Sequence, residues 1–278
     1  MPGLVINTNL ASIAAQNNLA RAASRLQGSI ERLSSGLRIV KAADDAAGLA
    51  ISEKLRGKIR ASEVAIRNAN DGVSMLQTAE GALNEINNIL IRMRELATQA
   101  ASPSMGTSER SLLNTEFLQL KSEIDRIAQV TEFNGQVLIN GALSANNAIR
   151  FQVGIGSTDN DRIGVQISAA TVANLNLSSQ TLSDVSAASS AITMVESAIN
   201  QAVSIRGQIG AYQSRLNSAI ANLTVSSENL QAANSRIRDA DFGYETAVFV
   251  KNQILVQSST AVLAQANLLP QAALTLLT

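Results

Sequence analysis

Apolar side chains recur at alternating steps of three and four along most of this chain. The clearest run reads Ile59, Ser62, Ile66, Ala69, Val73, Leu76, Ala79, Leu83, Ile86, Leu90, Met93, Ala97, Ala100. That spacing aligns the side chains on one stripe of a helix. Gly72 and Gly81 lie inside the run, and each weakens it by about 1 kcal/mol relative to Ala. Asp44 or Asp45 is the expected N-cap, and Pro103 marks the end. A shorter run, Leu113, Phe117, Leu120, Ile124, Ile127, predicts a second helix, with Thr107 or Ser108 as its cap. A third run is the longest, from Leu182 and Val185 through Ala188, Ile192, Val195, Ile199, Ala202, Ile205, Ile209, Tyr212, Leu216, Ala219, Leu223, Ser226, Leu230 and Ala233 to Ile237. About 55 residues of helix at 1.5 Å each would span roughly 80 Å. So long a helix does not fit a compact globule, so the pattern predicts a mainly α architecture: an elongated bundle of long, coiled-coil-like helices packed side by side.

Both ends repeat the theme. Leu19, Ala23, Leu26, Ile30, Leu33, Leu37 and Val40 keep heptad spacing near the start, and Ser34-Ser35-Gly36 reads as a break or bend. Near the end two adjacent columns recur every seven residues, Ala247, Ile254, Ala261, Leu268 and Val248, Leu255, Val262, Leu269. Each end is therefore expected to present one sticky stripe. The helical phase is lost over 130–181, where Gly and Asn cluster. Ile149–Val153 and Arg162–Ile167 alternate with period two around the turn-rich residues 156–161, which predicts a β-hairpin. Residues 168–190 read as a surface connection into the third helix.

Composition removes most chemistry. There is no His, no Cys and no Trp, aromatic residues make up 3%, and 22 Lys plus Arg balance 22 Asp plus Glu. Without His or Cys there is no Ser-His-Asp triad, thiolate nucleophile, Cys-type zinc site or disulfide. The neutral balance argues against nucleic acid as a partner. Residues 1–20 and 252–278 carry no charge, yet neither end reads as a signal peptide or a membrane span. The first basic residue is Arg21, and the C-terminal stretch is studded with Asn, Gln, Ser and Thr. Uncharged amphipathic ends fit burial against other protein. Asp44-Asp45 and the Asp239/Asp241 pair lack a third ligand and read as caps and linker polarity. Gly154-Ile155-Gly156 is too short for a dinucleotide fingerprint. No catalytic group, cofactor motif or metal site emerges, and an enzyme is not expected.

Several motifs resemble bacterial flagellin. They are Ile6-Asn7-Thr8-Asn9-Leu10 followed by Ala15-Gln16, then Arg32-Leu33-Ser34-Ser35-Gly36-Leu37-Arg38-Ile39, and Ala43-Asp44-Asp45-Ala46-Ala47-Gly48-Leu49-Ala50-Ile51. Further matches are Arg94-Glu95-Leu96-Ala97, Phe133-Asn134-Gly135, Ser235-Arg236-Ile237-Arg238-Asp239-Ala240-Asp241 and Ala261-Val262-Leu263-Ala264-Gln265-Ala266-Asn267. The chain departs from the family's usual ending at Asn267-Leu268-Leu269-Pro270-Gln271-Ala272-Ala273-Leu274. The segment between Gly135 and the third helix is too short for the outer domains of typical members.

The resemblance implies a structural subunit that polymerises into the flagellar filament. It would be exported without a cleaved signal and lie outside the cell. It implies paired terminal helices, 1–41 with 239–278, forming an inner core, and a helical bundle domain at 42–238 with the β-hairpin region at about 135–180. Leu26, Ile30, Leu33, Leu37, Ile254, Leu255, Val262, Leu268 and Leu269 would form the self-assembly core, and Asp44, Asp45, Asp239 and Asp241 the inter-domain linker. Implied partners are further copies of the chain, an export chaperone, the filament cap and hook-junction proteins, with no nucleic acid and no membrane. Arg92, Leu96 and Glu116 match positions through which flagellins contact toll-like receptor 5 of a host, although Ile91 stands where glutamine is often found. The alternative within the family is the hook–filament junction protein, against which the Ile6–Asn9 and Ala264–Asn267 blocks weigh. A metalloprotease-bearing flagellin is excluded by the absence of His. A coiled-coil adaptor would carry more than the 16% charged residues present.

Overall fold

A computed structural model describes residues 8–143 and 147–274, with 269–274 described by backbone alone. The helices are α1 (Leu10–Ser35), α2 (Ala46–Ala100), α3 (Thr107–Val130), α4 (Val185–Arg238) and α5 (Phe242–Leu274). Four short strands separate α3 from α4: β1 (Glu132–Phe133), β2 (Gln136–Val137), β3 (Ile149–Gln152) and β4 (Arg162–Val165). By contacts the chain divides into two units, one formed by 1–57 with 229–278 and the other by 58–228. This division falls along α2 and α4, whereas the chain itself breaks between helices at 36–45 and 239–241.

Unit 58–228 holds the main core. The expected stripe of α2 is buried from Leu76 through Ala100, and it packs with Phe117 and Ile124 of α3 and with Ala188, Val195, Ala202, Ile205, Ile209 and Leu216 of α4. Small side chains at Ala79, Ala97, Ala188 and Ala202 fit the scarcity of aromatic rings. Gly72 is a close-approach position. A Cβ there would sit 3.2 Å from both the Phe151 ring and Leu216 Cδ1, so the gap in helix propensity is what lets β3 and α4 press against α2.

The expected hairpin is present. β3 and β4 pair antiparallel, with Ile149 opposite Val165 and Gln152 opposite Arg162. A second hairpin joins β1 and β2 through Asn134-Gly135, both at positive φ (50° and 78°). The Asn-Gly pair is the usual two-residue turn signal, and it could have been read from sequence as structure rather than as a family motif alone.

Three local expectations are corrected. The α3 cap is Gly106 rather than Thr107 or Ser108, and it makes no side-chain cap bond. Leu182 precedes α4, whose first turn is capped by the Asp184 carboxylate accepting from the Ala187 amide at 2.8 Å. Residues 168–184 are not a loose surface connection. Ala170, Leu177 and Leu182 are fully buried, with Val172 and Leu175 nearly so. Three polar groups on α3 tie this strap down. Lys121 Nζ donates to the carbonyls of Ser178 (2.8 Å) and Gln180 (3.1 Å). Asp125 accepts from the Val172 amide, and Asn114 accepts from the Leu182 amide, both at 2.8 Å. Burial lowers the Lys121 pKa, and the nearby Asp125 charge offsets part of that fall.

Candidate assembly surface

The terminal unit positions its helices through their ends. Gly36, in the left-handed conformation at φ 70°, stops α1, and its amide donates to the Arg32 carbonyl. The next residues bridge to the far end of the chain. Leu37 pairs with Asp239, the Arg38 amide donates to the Arg238 carbonyl at 2.7 Å, and the Ala240 amide donates to the Gly36 carbonyl at 2.9 Å. The Arg38 guanidinium reaches the Ile237 carbonyl at 2.6 Å, and Arg238 pairs with Glu53 at 2.8 Å.

Each aspartate of the expected linker has a place. Asp45 caps α2 by accepting from the Gly48 amide at 2.8 Å. Asp44 accepts from the amides of Lys41 (2.9 Å) and Val40 (3.2 Å), closing the turn before α2. Those bonds, the Lys41 amide foremost, hold the Asp44 pKa below the usual aspartate range, with Arg32 and Lys41 adding charge stabilisation. Asp241 caps α5 by accepting from the Tyr244 amide at 3.1 Å. Asp239 contributes its backbone to the bridge with Leu37.

α1 and α5 run antiparallel along each other, and the seam between them differs from the expected stripes. On α1 the buried residues are Ser12, Ala15, Ala22 and Ser29, with Leu19, Leu26 and Leu33 half-buried. On α5 they are Glu245, Asn252 and Ala266, with Val256, Ser259 and Leu263 half-buried. Polar contacts cross the seam at both ends. The Asn9 side-chain amide donates to the Ala266 carbonyl (2.8 Å), and Ser12 Oγ donates to Asn267 (2.8 Å). Asn252 donates to Ser29 Oγ (3.3 Å), and Arg32 lies 3.8 Å from Glu245. Glu245 is 5% exposed and its Oε1 has no hydrogen-bond partner.

The expected apolar columns therefore divide. Leu26 and Leu33 enter the seam, Leu37 is half-buried at the bridge, and Ile30 faces outward at 48% exposure. On α5, Ile254, Leu255, Val262 and Leu268 are all exposed, the first, third and last by more than half. Leu269 lies in α5, and its side chain is outside the described residues. Correcting the single-stripe expectation, each terminal helix turns a small, partly polar face toward its partner, and α5 leaves most of its large apolar side chains toward solvent. Phe242, Val250, Leu10 and Ile13 are exposed as well. Large apolar side chains left exposed in this number on one helix mark a candidate interaction surface.

In the other unit Arg92 reaches Glu95 (2.9 Å) and Glu116 (3.0 Å). The two carboxylates raise its pKa, Glu95 foremost. Leu96 is 1% exposed and belongs to the core. Leu96 lies one turn after Arg92, at the edge of the buried stripe, so its side chain is covered while Arg92, Glu95 and Glu116 are exposed. Among the described residues no group of three or more acidic side chains could hold a metal, and no helix is long and apolar enough to cross a membrane.

Comparison with known proteins bears directly on this outward face. The profile of the bacterial flagellin N-terminal helical region matches residues 6–144, and that of the C-terminal helical region matches 192–277. The chain belongs to the bacterial flagellin family. It is 44% identical to a flagellin of Halalkalibacterium halodurans over 277 residues, covering 99% of this chain and 100% of that one. It is 40% identical to the flagellar filament 33 kDa core protein of Treponema phagedenis, over 99% and 100% of the two chains. The crystal structure of Bacillus cereus flagellin is 32% identical and superposes with a TM-score of 0.50, covering 60% of this chain and 94% of that one. The full-length match to the Halalkalibacterium protein makes this a short flagellin, with no outer variable domain between the two family regions.

Proposed function

We propose that this flagellin is the structural subunit of a bacterial flagellar filament. The observation that carries this reading is the outward apolar face of α5, where Ile254, Val262 and Leu268 stand more than half exposed on a helix already paired through another face. Such a face is satisfied by further copies of the chain. Relatives matched over their whole length are flagellins and a filament core protein, which supports the same assembly outside the cell.

Ordering and polymerisation are coupled in this scheme. The α1–α5 seam is small and partly polar, so it buries little apolar surface against the backbone entropy of ordering, about 1–2 kcal/mol per residue. Contacts from neighbouring subunits supply the remainder. The scheme extends to a structural rather than catalytic role and to export through the flagellar apparatus without a cleaved signal. It also includes handling by an export chaperone, the filament cap and the hook-junction proteins. The terminal pair, 1–41 with 239–278, is the inner core, and 42–238 is the bundle domain. A host-receptor contact at Arg92 and Glu116 belongs to the same proposal.

Deletion of residues 252–278 tests it. The truncated chain should retain the cooperative circular-dichroism melt of the 58–228 core yet form no filaments by electron microscopy when seeded. Filaments of normal length from it would sink the proposal.

A further inference from the structure

Within the α1–α5 seam one side-chain hydrogen bond joins two buried residues away from the ends. Ser29 and Asn252 are 4% and 5% exposed, and the Asn252 amide donates to Ser29 Oγ at 3.3 Å. Neither residue is needed to bury apolar surface, and both occupy heptad positions, since Ala22 and Ala15 precede Ser29 at steps of seven on the buried face of α1. Small or apolar side chains at these positions would close the seam equally well. A buried polar group in a coiled coil has one well-attested consequence: it fixes register, because only one alignment gives it a partner.

The alternatives can be read from the sequence. Moving α5 by one heptad one way sets Asn252 opposite Ala22, and the other way opposite Gly36. Neither has a side-chain hydrogen-bonding atom, so either slip leaves a buried amide without a partner. The apolar members of the seam discriminate far less. Leu19, Leu26 and Leu33 repeat every seven residues on α1, and Val256 and Leu263 do so on α5, so a heptad slip replaces like with like.

We infer that the buried Ser29–Asn252 pair is the register determinant of the terminal coiled coil, and that it decides how the outward faces of α1 and α5 line up for neighbouring subunits. The inference concerns the seam inside one chain, and it rests on the subunit reading for its consequence in a polymer. The β-bridge between Leu37 and Asp239 ties the same two segments at one end. The Asn9–Ala266 and Ser12–Asn267 bonds lie at the other end, and the Ser29–Asn252 pair acts on the stretch between them.

The absence of Cys allows a direct test. Ala22→Cys with Ser259→Cys lies one heptad from the Ser29–Asn252 contact and reports the native register. Ala15→Cys with Ser259→Cys reports the slipped one. The full chain bearing each pair is seeded to polymerise and then oxidised. The parent should give the first crosslink, with the second at background. Asn252→Leu should raise the share of the slipped crosslink at least about tenfold, as should Ser29→Ala, which keeps the shape of the seam. Native crosslinks alone in both variants would overturn the inference and leave the register to the contacts at the two ends of the seam. If neither variant polymerises, the soluble chains are oxidised instead: slipped crosslinks there support the inference, and native ones or none overturn it. Failure of the parent pairs to polymerise would count against the subunit reading and is thereby separable from failure of the register inference.

Discussion

The outward face of α5 makes a quantitative demand on polymerisation. Consider the double substitution Ile254→Ala and Val262→Ala. Both positions keep a good helix former, so local helix propensity is preserved or improved. Ile254 and Val262 are 58% and 55% exposed. Alanine removes three carbons from the first and two from the second. At about 0.8 kcal/mol per buried methylene, scaled by the fraction still open to solvent, full burial in a polymer is worth about 1.4 kcal/mol at Ile254 and about 0.9 kcal/mol at Val262. The two side chains are more than one helical turn apart and should act close to additively. Together they raise the critical concentration for seeded elongation by roughly 40-fold, since each 1.4 kcal/mol is tenfold. Sedimentation of polymer from a concentration series reads that quantity directly. The melt of the 58–228 core should be unchanged, because neither residue belongs to it. A critical concentration within about twofold of the parent would refute the assignment of this face as an inter-subunit surface.

Three further outcomes are expected. Lys121→Met leaves the Ser178 and Gln180 carbonyls without their donor. The cost is about 1–3 kcal/mol, and hydrogen exchange should show faster exchange of the amides of residues 172–182. Asp44 has a folded pKa below its unfolded value. Its contribution to the turn before α2 is therefore present above the ordinary aspartate pKa and lost as pH falls through the lowered folded value. A carboxyl titration by NMR should place Asp44 below the ordinary aspartate value, and Asp44→Asn should flatten the acid limb of stability. Arg92→Ala with Glu116→Ala should reduce the response of reporter cells carrying the host receptor, with little effect on the core melt, because both side chains are about half exposed. An unchanged response would remove that contact from the proposal.

Legibility in the sequence followed the size of the buried stripe. The α2 run holds without a break from Ile59 to Ala100, and every member is buried or half-buried. A stripe pressed on by several helices has one way to face. The same logic located α4, the core face of α3 and the β3–β4 hairpin. It failed where a helix has two claims on its surface. In α5 most of both apolar columns points outward, Val248 being half-buried, and Asn252, Val256, Ser259, Leu263 and Ala266 line the seam. Hydrophobic strength alone therefore indicated the wrong face. The strap at 168–184 departs from expectation for a related reason. Its Ser, Thr and Asn content points to solvent, while the scattered apolar residues Val172, Leu175, Leu177 and Leu182 are what it buries.

The sequence by itself determined the helices, their long phase, the hairpin, the lack of reactive side chains and the family. Each of these depends on spacing or on residue type, and both are present in one dimension. Only the tertiary structure decided that Ser29 meets Asn252, that Leu96 is buried beside an exposed Arg92, and that α5 keeps most of its apolar columns free while pairing with α1. Those outcomes depend on which surface arrives opposite which. A stripe declares that it will be buried, and the geometry of its neighbours decides what buries it.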